Sequence, residues 1–350
     1  MGIFLGPFSR GPDDDLAVID LCIEQALEAA AAGFALITFG EQHFNNYEPY
    51  CNPFLMGAHI ASHLKQAYFG TTITPLPLHH PIRLAEDMNI LDNLTRGKLI
   101  VGLSAGRAQL VRDFEAFGVN VADREALFAS KLKIMQGAWA KLGREPDFVF
   151  DTGFDKGGIL SGQMTGGQSR LMPSSYRAGR PLFAIGTNTE ATIERVGEQG
   201  FPLFLGPATL ETAARRFRLY REAMERAGHS QRLIDRNRQM SMITRFVIVG
   251  ETEAEATERA KRMMVANTFM PPGFEPMVGS PASIISQIRE YEQNGILQLH
   301  ARFTVGGGNF DDMRRSFRLF VDACAPELNL QSFPAPTGAE LRASGSDSSH

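Results

Sequence analysis

The stretch PIRLAEDMNILDNLTRGKLIVGLSAGR, Pro81–Arg107, decides how the whole chain is read. Ile82–Leu94 has an amphipathic helical pattern and is stopped at Gly97, a residue that commonly ends helices. Leu99–Leu103 is a short apolar run of the length of a buried strand, and it delivers Ser104-Ala105-Gly106-Arg107 at its end. Helix, glycine stop, strand and polar strand end together form one α/β unit. Outward from it the same unit recurs. Strands are expected at Ile3–Phe8, Ala35–Phe39, Tyr68–Thr74, Pro181–Ile185, Phe201–Leu205, Met240–Val249 and Ile296–Val305. Helices are expected at Leu16–Ala32, Asn52–His63, Arg124–Lys141, Glu190–Glu198, Leu210–Ala227, Glu253–Met264, Ser280–Asn294 and Asp311–Cys324. Asp13–Asp15 stand where a cap for Leu16–Ala32 belongs. Eight strands, nearly all followed by a helix, favour an α/β fold of the (β/α)8 TIM barrel type over an open sheet.

The rhythm loosens between Phe148 and Arg180, where Gly157-Gly158 and Gly166-Gly167 punctuate short pieces. The expectation is one barrel over residues 1–330 with an insertion of about 148–180, a hairpin among its options, and a disordered polar tail over 331–350. Thr268–Val278, with three prolines and one glycine, is expected as a loop and a candidate pocket wall or lid.

Composition narrows the class. Among 350 residues the formal net charge is −4, which supplies no basic surface for nucleic acid. No apolar run reaches the roughly 18 residues of a membrane span, and the first residues do not read as a secretory signal. Cys22, Cys51 and Cys324 lie far apart without metal-type spacing, which suits a cytoplasmic protein and rules out a disulfide framework. Cys22, Cys324 and Trp139 fall on helices and are expected in the core.

In a barrel the chemistry gathers at the C-terminal strand ends. Glu41-Gln42-His43-Phe44 offers a carboxylate, an amide and an imidazole there, suited to orienting a polar ring, to moving a proton or to simple pairing with neighbouring loops. His79 and His80 are adjacent on an extended chain and point apart, so no metal site is expected from them. Ser104 and Ala105 would let a flat ligand approach the backbone, and Arg107 could grip a phosphate. Gly186-Thr187-Asn188-Thr189 runs into a helix containing Thr192, either as an ordinary cap or as a phosphate seat. Gly306-Gly307-Gly308 is a second seat or a hinge.

These residues carry a family likeness. Glu41-Gln42-His43-Phe44, Asn52-Pro53, Gly70-Thr71-Thr72-Ile73, His80–Asp87, Arg96-Gly97-Lys98, Val101–Gly106 and Asp113–Gly118 resemble the bacterial luciferase-like flavin monooxygenases. The resemblance implies a barrel that binds reduced FMN (FMNH2), supplied by a separate NAD(P)H:flavin reductase, and uses O2 through a C4a-peroxyflavin. It also implies a small organic substrate and a homodimer. It places the flavin ring against Thr72 and Ile73, where a non-prolyl cis peptide is usual, beside Ser104, Ala105 and Gly186. It places the flavin phosphate on Asn188, Thr189 and Thr192, with Arg124 as charged partner.

Two positions depart from the family pattern. The family's Glu-His-His-Phe has its proposed base at the second residue, which here is Gln42, leaving His43, or hydrogen-bond donors alone, to serve. The reactive cysteine near the flavin is matched by Ser104, which argues against light emission. The leading expectation is a monooxygenase, of Baeyer–Villiger or hydroxylating type, acting on an apolar or aromatic substrate. The alternatives are a non-catalytic flavin-binding or partner subunit, an F420-dependent oxidoreductase on the same fold, and a metal-dependent barrel hydrolase.

Overall fold

The computed structural model describes residues 1–162, 166, 168–264, 275–304, 309–328, 330 and 333–334. Eight parallel strands close into a ring. In order around it they are β1 (Gly2–Leu5), β2 (Leu36–Phe39), β3 (Tyr68–Pro75), β4 (Leu99–Ser104), β7 (Leu182–Gly186), β8 (Leu203–Leu205), β9 (Met242–Val249) and β11 (Leu299–Arg302), which pairs back with β1. These are the eight expected strands, and the fold is the expected (β/α)8 barrel. The runs are mostly apolar rather than alternating because a parallel barrel buries its strands on both faces: every residue of β1, β2, β8 and β9 is buried.

The opening stretch folds as read. α3 (Pro81–Leu94) ends where the Gly97 N–H returns to the Asp92 carbonyl (2.8 Å), with Gly97 at φ +78°. Leu84, Ala85, Met88 and Leu91 face the barrel, spaced as one face of a helix. Asp92 anchors the chain that returns from the 148–180 region, accepting from Ser175 Oγ (2.6 Å) and Arg177 N (2.8 Å). Within that region β5 (Phe148–Asp151) and β6 (Lys156–Ile159) form an antiparallel pair.

Several elements differ from expectation. Asp14 precedes α1 (Asp15–Ala31) without a side-chain cap, because its carboxylate faces Arg10 instead. β9 starts at Met242 because α8 (Gln231–Met240), N-capped by Ser230, occupies the preceding residues. The short α4 (Val111–Ala116) follows β4. β10 (Met277–Gly279) extends β9 where a loop was expected; the rest of the candidate lid falls largely in 265–274, outside the described residues. Gly306-Gly307-Gly308 and nearly all of the 331–350 tail also lie outside them.

Trp139 on α5 (Arg124–Ala140) is core as expected, its indole N–H donating to Asn89 Oδ1 (3.0 Å). Cys22 and Cys324 are buried thiols. No helix of the described residues is long and apolar enough to cross a membrane.

Candidate active site

Beyond β2 the chain passes through Gly40 to Glu41, whose side chain is buried. Glu41 Oε1 accepts from His79 Nε2 (2.7 Å) and His43 Nε2 (3.2 Å). His79 is held there from below, since the buried Lys131 ammonium on α5 donates to the carbonyls of Pro77 (2.9 Å) and His79 (2.8 Å). Burial works to raise the Glu41 carboxyl, but the facing His79 and His43 outweigh it and hold it below the ordinary carboxylate value. An ionised Glu41 accepts only, so each histidine presents a protonated Nε2 to it and turns its Nδ1 away. His43 packs edge-on to Phe117 (4.7 Å between centroids), and the exposed Phe44 completes an apolar rim 6.0 Å from Phe117. His80 turns away, its Nδ1 accepting from Arg83 N at the start of α3. The two histidines diverge, and among the described residues no metal-binding group of three or more His, Cys, Asp or Glu is assembled.

The loop after His43 doubles back sharply, with Phe44, Asn46, Glu48 and Cys51 all in the left-handed region (φ 52–61°). It pairs with the segment after β1, Ser9 N donating to Asn46 O and Glu48 N to Pro7 O. Glu48 is thereby folded under the mouth at 1% exposure. Its carboxylate fills the space that side chains at Gly6 and Gly40 would take: a Cβ on Gly6 would stand 2.6 Å from Oε1, and one on Gly40 2.6 Å from the carboxyl carbon. Burial pushes the Glu48 carboxyl up to about 7, against the pull of Arg302 and Arg107. Gln42 Nε2 donates to it (3.5 Å).

β3 is irregular where the flavin ring is expected. Thr71 pairs with Val101 and Thr74 with Leu103, so β3 carries one extra residue there, and the Thr72–Ile73 peptide is cis. Thr72 Oγ1 lies 2.6 Å from Thr38 Oγ1, which lies 3.0 Å from His300 Nε2 in the barrel core. Burial brings His300 down to about 3, so this thread is neutral. Ile73 projects toward β7, its Cδ1 filling the space a side chain at Gly186 would need.

α6 (Glu190–Glu198) begins at Thr189, which makes no side-chain cap bond. Thr187 Oγ1 accepts from Thr189 N (3.1 Å), Thr192 Oγ1 accepts from Arg195, and Asn188 Oδ1 is taken by Gly206 N (3.2 Å) and Arg216 Nη1 (3.3 Å). The first N–H groups of α6 are therefore left without a side-chain acceptor, at the positive end of the helix dipole. Arg216 Nε is buried without a partner beside them. That set of donors fits a phosphate monoester such as the one FMN carries.

Of the other expected residues, Ser104 Oγ accepts from Gly106 N (3.1 Å), and Ala105 and Gly186 stand at the ends of β4 and β7. Arg124 is engaged at its own helix by the Val121 carbonyl and Glu125 (both 3.5 Å), and no hydrogen bond or ion pair joins it to Asn188, Thr189 or Thr192. Glu48, His79, His300, Thr38 and Arg216 were not singled out as site residues from the sequence. The signals available were an adjacent histidine pair and a histidine on a barrel strand. Arg216 sits among the arginines of an amphipathic helix and gave none.

The closed parallel sheet with polar groups at its C-terminal strand ends defines the class, a (β/α)8 barrel. Within that class the chain belongs to the luciferase-like monooxygenase family, whose profile matches residues 1–277. It is 26% identical over 212 residues to an alkanal monooxygenase alpha chain from the Kryptophanaron alfredi symbiont, covering 58% of this chain and 53% of that one. The chain thus spans about half the length of the curated alkanal monooxygenases it matches. The solved structure of the oxygenating constituent of 3,6-diketocamphane monooxygenase from Pseudomonas putida, a type II Baeyer–Villiger monooxygenase in complex with FMN, superposes with a TM-score of 0.77. It is 20% identical and covers 95% of this chain and 99% of its own. An F420-dependent secondary alcohol dehydrogenase superposes with a TM-score of 0.67 at 15% identity, covering 92% and 97%.

Proposed function

We propose that the protein binds reduced FMN at the β3–β7 side of the barrel mouth and, with O2, oxygenates an apolar or aromatic organic molecule by Baeyer–Villiger insertion or hydroxylation. The observation that carries this reading is the start of α6, with unclaimed backbone donors and an arginine whose buried Nε lacks a partner. When bound, reduced flavin supplies the electrons that activate O2 for transfer of one oxygen atom. The chain's own residues do the rest. Thr189, Thr192, Asn188 and Arg216 hold the phosphate. Thr72 and Ile73, with Ser104, Ala105 and Gly186, border the ring, Thr72 being fixed by Thr38 and His300. Phe44 and Phe117, both exposed, offer an apolar surface beside His43 for the organic substrate. Glu41 orients His43, whose Nδ1, the ring nitrogen turned away from Glu41, would exchange a proton with substrate.

In this reading residues 1–330 form one barrel carrying the 148–180 insertion, work as a homodimer, and receive FMNH2 from a separate NAD(P)H:flavin reductase. Anaerobic titration with FMNH2, followed by O2 and absorbance detection, tests it. Tight binding and an oxygenated product from a cyclic ketone or arene panel are expected. No flavin binding sinks the reading; tight binding without oxygen transfer favours a non-catalytic partner subunit. The barrel shared with an F420-dependent enzyme makes F420 the second cofactor to titrate, and preference for it overturns the FMN assignment.

A further inference from the structure

Gln42 stands where the family pattern has a histidine, and its hydrogen bonds can be oriented without assuming which end of the amide is which. Tyr47 N–H is a backbone donor, so the atom it reaches on Asn45 (3.0 Å) is the oxygen, Oδ1. The Asn45 atom facing Gln42 (3.0 Å) is therefore the amide nitrogen, and the Gln42 atom it meets is Oε1. Gln42 consequently turns its NH2 group toward Glu48. Glu48 accepts there, so the Gln42 amide is held from both ends, by Asn45 on its oxygen and by Glu48 on its nitrogen.

We propose that Glu48 is a positioning residue: its buried carboxylate holds the Gln42 amide with the oxygen toward Asn45, leaving the second Nε2 hydrogen of Gln42 as the uncommitted donor at the β2 mouth. The inference deepens the oxygenase reading and rests on it for its catalytic consequence, though not for its geometry. A donor at this position can hold a carbonyl or a developing oxyanion, which a base cannot do. It thus gives a physical role to the replacement of histidine by glutamine.

Protonating Glu48 takes the negative charge off the acceptor and adds an O–H donor, which weakens its hold on the Gln42 amide nitrogen and makes the reversed amide more accessible. The charged and titratable groups facing Glu48 are Arg302 at the end of β11, Arg107 after β4, Glu41 after β2, Cys22 on α1, and Tyr50 and Cys51 of its own loop. Arg302 is itself committed, to the carbonyls of Gly6 and Thr304, and lies over the Phe4 ring (4.6 Å). Gln42, which donates a hydrogen bond to Glu48, is the neighbour whose response reports its charge.

The test is the side-chain amide NMR signal of Gln42 in the ligand-free protein, assigned by its loss in Gln42→Met. In the wild type the two amide protons should shift with a single midpoint near neutral pH. In Glu48→Gln, checked for folding by circular dichroism, the shift should be absent. A wild-type signal that stays flat, or one that still titrates in folded Glu48→Gln, overturns the proposal. If Glu48→Gln does not fold, a His43→Gln/His79→Gln double variant decides: persistence of the wild-type midpoint supports Glu48, and its disappearance overturns it. If oxygenation is found, wild-type turnover should fall about tenfold per pH unit below that midpoint, a limb missing in Glu48→Gln. Absence of flavin binding with the titration intact would sink the oxygenase reading and leave the Glu48–Gln42 coupling standing.

Discussion

The mouths of β2 and β7 lie at the same end of the barrel and solve opposite problems. At β2 most polar groups are paired with one another: Glu41 Oε1 takes two histidines, leaving only its buried Oε2 without a partner, and Glu48 takes Gln42, which takes Asn45. At β7 the donors outnumber the acceptors, with the start of α6 uncapped and Arg216 Nε unpaired. A network paired mostly within itself holds atoms still and tunes protons, whereas a donor excess waits for an anion. Substitutions at β2 should therefore register in stability, pH dependence and turnover, and those at β7 in ligand affinity alone.

The largest effect is expected at Glu48. Its carboxyl is raised from 4.5 to about 7, so the folded protein binds a proton that the unfolded chain has already lost. Stability is therefore highest below the unfolded value and is lost as pH rises through the folded one, by about 3 kcal/mol at 1.36 kcal/mol per unit. Urea unfolding of wild type and Glu48→Gln should show the variant gaining on the wild type by nearly this amount between about pH 4.5 and pH 8. A difference independent of pH would mean that Glu48 is ionised throughout, and the contrast between the two mouths would lose its main support.

His43→Ala comes next. If His43 Nδ1 handles the substrate proton, turnover should fall by roughly 100-fold, the lower range for a general acid or base, with flavin affinity nearly unchanged. Equal losses in both would place His43 with the cofactor and blur the division. Arg216→Ala tests the other mouth: loss of a charged hydrogen bond should weaken FMN by about 2 kcal/mol, read as a roughly thirtyfold rise in Kd. Arg124→Ala, whose guanidinium is engaged locally, should change it little.

How far the sequence reached follows the same division. The eight barrel strands were legible because apolar runs closed by glycine or by polar strand ends, such as Leu99–Ser104, are decided locally. α8 was missed because its mostly polar, arginine-rich surface hides the apolar face formed by Ile234 and Met240. At the site, Glu41, His43 and the start of α6 were legible as chemistry-bearing residues at strand ends. Glu48 was not, since a glutamate in a polar loop reads as solvated. Its burial depends on two glycines after different strands, Gly6 and Gly40, which leave it room. That is a tertiary fact with no local signature. The direction of the Gln42 amide likewise depends on one backbone donor, Tyr47 N, and emerges only from coordinates.

The smallest effect discriminates most finely between a cap and a seat. An ordinary N-cap threonine stabilises its helix by about 1 kcal/mol, and its loss shows as a lower Tm whether or not ligand is present. Thr189 occupies the cap position of α6 but its side chain bonds none of the helix amides, so that contribution is absent here. Thr209, the N-cap of α7 (Leu210–Arg226), does accept from Thr212 N and serves as the internal control. Thr209→Ala should lower the Tm of the ligand-free protein and leave FMN affinity alone. Thr189→Ala should leave that Tm in place and weaken FMN by about 1 kcal/mol, the worth of one neutral hydrogen bond, read as a roughly fivefold rise in Kd. If Thr189→Ala instead behaves like Thr209→Ala, its hydroxyl is a cap in solution, the donors of α6 are already spent, and the phosphate must be sought at another strand end.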